Sequence, residues 1–253
     1  MNLDTAELEH YREHGYLLLR GLFDADSLQR FDQRFIELAN GAEKPERLHI
    51  MKDVMVAKGV VEPASPVHAV NKLFSFEEDP TLYAFTQHRP LVDAVCAVLG
   101  KPDDIYTLVT NVFNKPPGID GRHPLHQDLK YFDLRPADGI VGVWTAIRPA
   151  TRAAGCLAVV PGSHRGPLLE HKNPDWEYVN HAFYGVETDL GKRVHVEMQP
   201  GDTLLFHPLI IHGSGQNTTG GFRRAISTHY ARGDCEVPNL DWRSRGGSRR
   251  VAV

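Results

Sequence analysis

The spacing of apolar positions divides the chain into two unequal parts. Over the first hundred residues the period is mostly helical. Residues 4–14 predict a helix opened by Asp4, with Glu7 three positions on as its capping-box partner. Tyr16 to Leu19 is a short apolar run between Gly15 and Gly21, as a strand would be. Leu28, Phe31, Phe35 and Leu38 then recur at helical spacing across residues 26–40, with Gly41 as the stop. Further helices are expected near 66–75, 80–87 and 90–99. Asp79-Pro80 opens the second, and Pro90 and Gly100 bracket the third.

From Ile105 the pattern becomes β-rich. Strand-like runs at 105–113, 140–147, 156–160, 194–198, 202–206, 209–212 and 225–231 alternate with Gly- and Pro-rich turns, the pattern of a sandwich or barrel. In the second run Val141, Val143, Thr145 and Ile147 share one face, and Trp144 takes the other. One connection is long, residues 161–193, with Trp176, Tyr178, Phe183 and Tyr184 among charges. A loop of that length is usually functional, and this one reads as a lid that shapes substrate choice. The tail over 236–253 carries Arg243, Arg245, Arg249 and Arg250 among Gly and Ser. It reads as a disordered basic tail, with contact to ligand phosphates as the alternative. The expectation is one domain over 1–253: helical support to residue 100, a β core over 101–235 with the insertion, then the tail.

Composition narrows the class without choosing a function. A chain of 253 residues, 42% apolar and 24% charged, suits one globular core. A net charge of -4 argues against nucleic acid as a partner. Cys96, Cys156 and Cys235 are too few and scattered for a disulfide framework or zinc cluster, and fit a core in a reducing compartment. No apolar run approaches the roughly 20 residues of a membrane span. No signal peptide or peroxisomal address is read at the termini, so the expected location is cytoplasmic. No feature specifies an oligomeric state.

Candidate chemistry concentrates at His126-Gln127-Asp128. On a strand or just past its end, the spacing of two puts His126 and Asp128 on one face and turns Gln127 away. Imidazole and carboxylate both suit Fe(II), and two His with one carboxylate leave positions open for chemistry. Among 14 histidines such a pair arises readily by chance, so the third ligand matters. His207 and His212 are both candidates. Pro208 implies a corner after His207, whereas His212 ends the apolar run Leu209-Ile210-Ile211 and is favoured. Arg223 supplies a guanidinium fork that matches a carboxylate, and Ser214, two beyond His212, a hydroxyl. Hairpin pairing is expected to lay the start of the Arg223 strand beside the end of the His212 strand, with Arg224 pointing the opposite way. The combination predicts a non-haem Fe(II), 2-oxoglutarate-dependent oxygenase. His164 and His207 read as structural, and Lys130, Tyr131 and Arg135 either as residues that meet substrate or, equally, as solvated surface. Two other classes use some of these pieces. A non-oxidative cupin-type metal enzyme would leave Arg223 without a partner, and a silent binding module would tolerate a broken ligand set.

Asn114-Lys115-Pro116-Pro117, His123-Pro124-Leu125-His126-Gln127-Asp128-Leu129 and Ile211-His212-Gly213-Ser214-Gly215-Gln216-Asn217 resemble the phytanoyl-CoA 2-hydroxylases. So do Trp144-Thr145-Ala146, Gly155-Cys156-Leu157, Pro161-Gly162-Ser163-His164, Gly201-Asp202-Thr203 and Phe206-His207-Pro208-Leu209. The resemblance implies a mainly β fold, a double-stranded β-helix (cupin-like jelly roll) with flanking α-helices. It implies iron on His126, Asp128 and His212, and the far carboxylate of 2-oxoglutarate on Arg223 and Ser214. It also places Lys72, in a stretch read as helical, and Trp144 at the cosubstrate. Asn111 departs from the methionine often found there. The implied cofactors are Fe(II), 2-oxoglutarate and O2, with ascorbate as a supporting reductant, and the coproducts are succinate and carbon dioxide. Asp128 favours hydroxylation over halogenation, because related halogenases carry a small residue in its place. The implied small-molecule substrate is an acyl-CoA hydroxylated at carbon 2, with an amino-acid-like compound or natural product as the alternative.

Overall fold

The structure, a computed structural model, describes residues 2–177, 183–244 and 247–253. Helix α1 (Thr5–His14) opens on the predicted capping box: Asp4 accepts from the Glu7 amide at 2.8 Å, and Glu7 accepts from the Asp4 amide at 2.9 Å. It closes at Gly15, whose φ of 80° lies in the left-handed region and where a Cβ would collide with the His164 ring. Strand β1 (Tyr16–Leu19) follows, then helix α2 (Ala25–Ala39), which buries Leu28, Phe31, Phe35 and Leu38.

The next segment departs from expectation. Strand β2 (His49–Lys52) and the one-turn helices α3 (Val54–Ala57) and α4 (Pro66–Ala69) precede strand β3 (Val70–Phe74). The helix expected over 66–75 therefore ends after one turn, and Lys72 lies on a strand. Tertiary pairing overrides the local pattern: β3 is zipped between β2 and the long strand β4 (Ile105–Lys115). Helices α5 (Pro80–Tyr83) and α6 (Arg89–Val98) form where Pro80 and Pro90 predict them.

The remaining strands are β5 (His123–His126), β6 (Ile140–Ala146), β7 (Leu157–Val159), β8 (Val194–Val196), β9 (Thr203–Phe206), β10 (His212–Ser214), β11 (Arg223–Arg232) and β12 (Arg249–Val251). The larger sheet runs β1-β9-β6-β11-β4-β3-β2, with β12 also on β4, and the smaller runs β5-β10-β7-β8. Two antiparallel sheets with helices outside form the predicted jelly roll. The alternation along β6 sorts its side chains as predicted. Val141, Val143 and Ile147 join the core beneath the helices, while Trp144 and Ala146 join the core between the sheets.

Two other expectations need correction. The strand predicted at 209–212 starts at His212 instead, because Pro208 and Leu209 form a turn. That turn is held by the Leu129 amide on Pro208 O and by Gln127 Nε2 on Leu209 O. The tail is largely docked: β12 pairs with residues 105–107, and buried Trp242 donates its indole N–H to Cys235 O at 2.7 Å. An apolar anchor and free strand edge outweigh the local Gly/Ser content. Arg245 lies outside the described residues. Arg224 points opposite to Arg223, as predicted. Its guanidinium donates to Asp32 of α2 and to Asn114, and lies 4.0 Å from the Phe35 ring, pinning α2 to the large sheet.

Candidate metal and cosubstrate centre

The smaller sheet brings His126 and His212 together. They are paired across β5 and β10, with ring centroids 4.4 Å apart. Each ring turns Nδ1 to a backbone carbonyl: His126 to Pro124 O at 2.9 Å, His212 to Ile210 O at 3.1 Å. Nδ1 is therefore the donor in both, and both Nε2 atoms carry lone pairs. Asp128 opens a 3-10 turn just past β5 and lies 3.0 Å from His126 Nε2 through Oδ1 and 3.7 Å from His212 Nε2 through Oδ2. One ligand atom from each residue lies within 4.8 Å of the others. Two imidazole nitrogens and a carboxylate oxygen converging on one point fit a cation, and this donor set fits iron.

The electrostatics agree. Burial pushes the Asp128 carboxyl upward, but His212, His229 and His126 outweigh it and hold it well below the usual carboxylate range. Burial also pushes His212 down to about 4, opposed by Asp128, so the imidazole is neutral at neutral pH. Asp128 Oδ2 has a further partner, His229 Nε2 at 2.7 Å. His229 stands outside the converging set and donates to it.

Arg223 is the first residue of β11, almost fully buried, with Nε and Nη1 lacking hydrogen-bond partners among the described residues. Burial pushes its pKa down to about 9. Its guanidinium sits 5.3 Å from the Trp144 ring. A buried guanidinium with unpartnered N–H groups fits a carboxylate. Ser214 faces the same cavity, which is about 300 Å³ and is also lined by Lys72, Asn111, Trp144, His126, Asp128 and His212. Lys72 reaches in from β3, its ammonium over Phe74, Phe113 and Phe183 at 5.3, 5.6 and 5.9 Å. Burial lowers its pKa, with Asp128 opposing. All eight sequence-predicted site residues thus line one cavity. The expected hairpin between the His212 and Arg223 strands does not form. β10 belongs to the smaller sheet and β11 to the larger, so Ser214 and Arg223 meet across the sandwich.

The family model for phytanoyl-CoA dioxygenase matches residues 11–225. The chain belongs to the phytanoyl-CoA dioxygenase family. It is 43% identical over 248 residues to a probable phytanoyl-CoA dioxygenase of Caenorhabditis elegans, covering 94% of this chain and 79% of that one. It is 40% identical over 257 residues to the peroxisomal phytanoyl-CoA dioxygenase of Homo sapiens, covering 99% and 75%. The fold matches the non-haem, alpha-ketoglutarate-dependent carbocyclase SnoK at TM-score 0.70 and 18% identity, covering 99% of this chain and 97% of that one. It also matches EvdO2 from Micromonospora carbonacea, complexed with 2-oxoglutarate, at TM-score 0.69 and 18% identity, covering 95% of each chain. The protein is an iron- and 2-oxoglutarate-dependent dioxygenase.

Within this family member, sequence reasoning missed two side chains at the centre. His229 lies six residues after Arg223, so period-two alternation along β11 puts Arg223, Ser227 and His229 on one face, all lining the cavity. The same counting along β4 puts Asn111, Phe113 and Lys115 there. Lys115 donates to Ser214 Oγ at 2.8 Å and to Gly215 O.

The remaining candidates separate cleanly. His207 bonds Asp138 at 2.9 Å and His164 bonds Arg12 O at 3.1 Å, both in structural roles. Tyr131 lines the cavity, whereas Arg135 turns to the carbonyls of Phe132 and Leu134. Lys130 sits 5.8 Å from the Tyr184 ring. Gln127 points away from His126 and Asp128 and grips the 161–193 insertion, donating to Pro167 O and accepting from the Leu169 amide. From that insertion Phe183 reaches the cavity, and Trp176 stacks on Arg122 at 4.3 Å. Tyr178 lies outside the described residues.

Proposed function

We propose that this dioxygenase 2-hydroxylates an acyl-CoA, with His126, Asp128 and His212 holding Fe(II). Arg223 and Ser214 hold the far carboxylate of 2-oxoglutarate, and Lys72, Trp144 and Asn111 complete the wall around it. The observation that carries the reading is the buried Arg223 guanidinium, with Nε and Nη1 unpartnered among the described residues, sharing one cavity with the converging His126, Asp128 and His212. Iron and 2-oxoglutarate supply the oxidant when bound, with one oxygen atom of O2 going to substrate and the other to succinate as carbon dioxide leaves.

The residues supply position. His126 and His212 commit Nδ1 to backbone carbonyls, which fixes each ring and turns Nε2 toward Asp128. The His229 donor occupies one Asp128 oxygen and leaves the other toward His126. Phe113, Phe132, Phe183, Phe206 and Leu157 line the cavity with apolar surface, which excludes water and suits an acyl chain. A cavity of about 300 Å³ takes the cosubstrate and the reacting end of the substrate, so the nucleotide end of coenzyme A lies outside its mouth. The whole of 1–253 acts as one domain, and residues 161–193 act as its lid. The proposed compartment is the cytoplasm; the Homo sapiens relative is named peroxisomal, and cell fractionation distinguishes the two. Among the described residues no helix is long and apolar enough to cross a membrane.

The test is a panel of straight and branched acyl-CoAs, the matching free acids, and amino-acid-like compounds, scored by succinate release and product mass. Mass gain of one oxygen at carbon 2 of an acyl-CoA is the expected outcome. Turnover confined to the free acids or small compounds would sink the acyl-CoA assignment. No weak visible absorption on adding 2-oxoglutarate to the anaerobic Fe(II) protein would sink the iron assignment.

A further inference from the structure

Lys115 lies directly across the β4–β11 ladder from Arg223, and the two basic side chains line the same cavity. Both are almost fully buried, and neither makes an ion pair among the described residues. Burial pushes the Lys115 ammonium well below its usual pKa, and the Arg223 charge pushes it further. Two buried like charges are costly in an empty cavity and favourable beside a dianion.

The hydrogen bonds give this lysine a sharper task. Lys115 Nζ donates to Ser214 Oγ at 2.8 Å, so the serine oxygen is the acceptor of this bond. A second Nζ proton goes to Gly215 O, which fixes the ammonium against the backbone just past β10. With its oxygen engaged by that donor, Ser214 has its single proton left to give. Lys115 also bridges the larger sheet to the smaller, where Ser214 and Arg223 must be spaced to share one ligand.

We propose that Lys115 is a positioning residue of the cosubstrate site, holding Ser214 as a dedicated donor to the carboxylate that Arg223 binds. This rests on the reading that Arg223 and Ser214 hold the far carboxylate of 2-oxoglutarate.

The test is a double-mutant cycle on the full chain with Fe(II) under anaerobic conditions, reading the dissociation constant of 2-oxoglutarate from the visible absorption, without turnover. Lys115→Met and Ser214→Ala should each weaken binding by about tenfold or more, the scale of a charge-assisted contact. The double variant should be no weaker than the worse single one, because the lysine acts through the serine. Lys115→Arg should recover most of the affinity, and iron affinity should change little throughout. A Lys115→Met protein that binds 2-oxoglutarate as the parent does, or losses that add in the double variant, would overturn the proposal. If the Met variant does not fold, Lys115→Gln with Ser214→Ala completes the same cycle with the same two outcomes. Failure of the parent protein itself to bind 2-oxoglutarate would overturn the cosubstrate reading instead.

Discussion

Replacing Arg223 with Met should make the protein more stable and less able to use 2-oxoglutarate, two effects of opposite sign from one change. Arg223 is 2% exposed, and its Nε and Nη1 lack partners among the described residues. Burial lowers its pKa from 12.5 to about 9, which corresponds to a cost on the order of 5 kcal/mol for keeping the charge. The sign follows from linkage. A base whose folded pKa is depressed destabilises the fold at every pH below that folded value, and the cost is relieved only as pH rises through it. At pH 7 the full cost is present, and Met of similar length removes it. The stacking on Trp144 at 5.3 Å is lost as well, which returns at most about 2 kcal/mol. The net gain of about 3 kcal/mol should raise the unfolding temperature by roughly 6 °C or more for a chain of this size. Binding moves the other way. Loss of a two-pronged charged contact should raise the 2-oxoglutarate requirement on the order of 100-fold. Thermal unfolding with bound Mn(II), with and without 2-oxoglutarate, reads both effects. At a hundredfold excess over its dissociation constant the ligand stabilises the parent by about 2.7 kcal/mol, and the variant should show almost none of that shift. A variant that melts lower without 2-oxoglutarate, and keeps the ligand-induced shift, would refute both the electrostatics and the placement of the carboxylate.

Three further outcomes are expected. Asp128→Ala should abolish iron binding and turnover together, measured by metal content after desalting and by succinate release; full hydroxylation by this variant would remove Asp128 from the metal. His229→Phe removes the 2.7 Å donor to Asp128 while keeping a ring, and should weaken iron binding about 10- to 100-fold with the fold intact; unchanged metal affinity would show that Asp128 needs no such support. Asp32→Asn strips the buried Arg224 guanidinium of its counter-charge and should cost about 3 kcal/mol or more of stability near neutral pH. Burial pushes Asp32 up, but Arg148 and Arg224 outweigh it and leave its pKa depressed. Its contribution is therefore present above the usual carboxylate pKa and lost as pH falls through the folded value. Chemical denaturation of parent and variant should differ at pH 7 and converge toward pH 3; an equal difference at both would contradict the ion-pair account.

The proposed metal ligands were legible because chemistry and spacing pointed the same way. His126 and Asp128 are two apart, His212 closes an apolar run, and Arg223 matches a carboxylate whatever the fold. The strand alternation that sorted Val141 and Val143 from Trp144 could equally have carried the reader from Arg223 to His229 and from Asn111 to Lys115. Alternation alone does not single them out, because a histidine and a lysine in a strand each have commoner explanations. Lys72 was misplaced on a helix because the pattern over 66–75 is local, whereas the partners of β3 come from 49–52 and 111–113.

The sequence by itself therefore determined the ligand types, the helix caps, and the inward or outward sense of most strands, since these depend on covalent spacing and local hydrogen bonds. Tertiary structure alone decided which sheet each strand joins. It placed His212 and Arg223 on opposite sheets, set Lys115 beside Arg223, and pinned the tail through Trp242. Those outcomes depend on burial and non-local pairing, to which residues far apart in the chain contribute together.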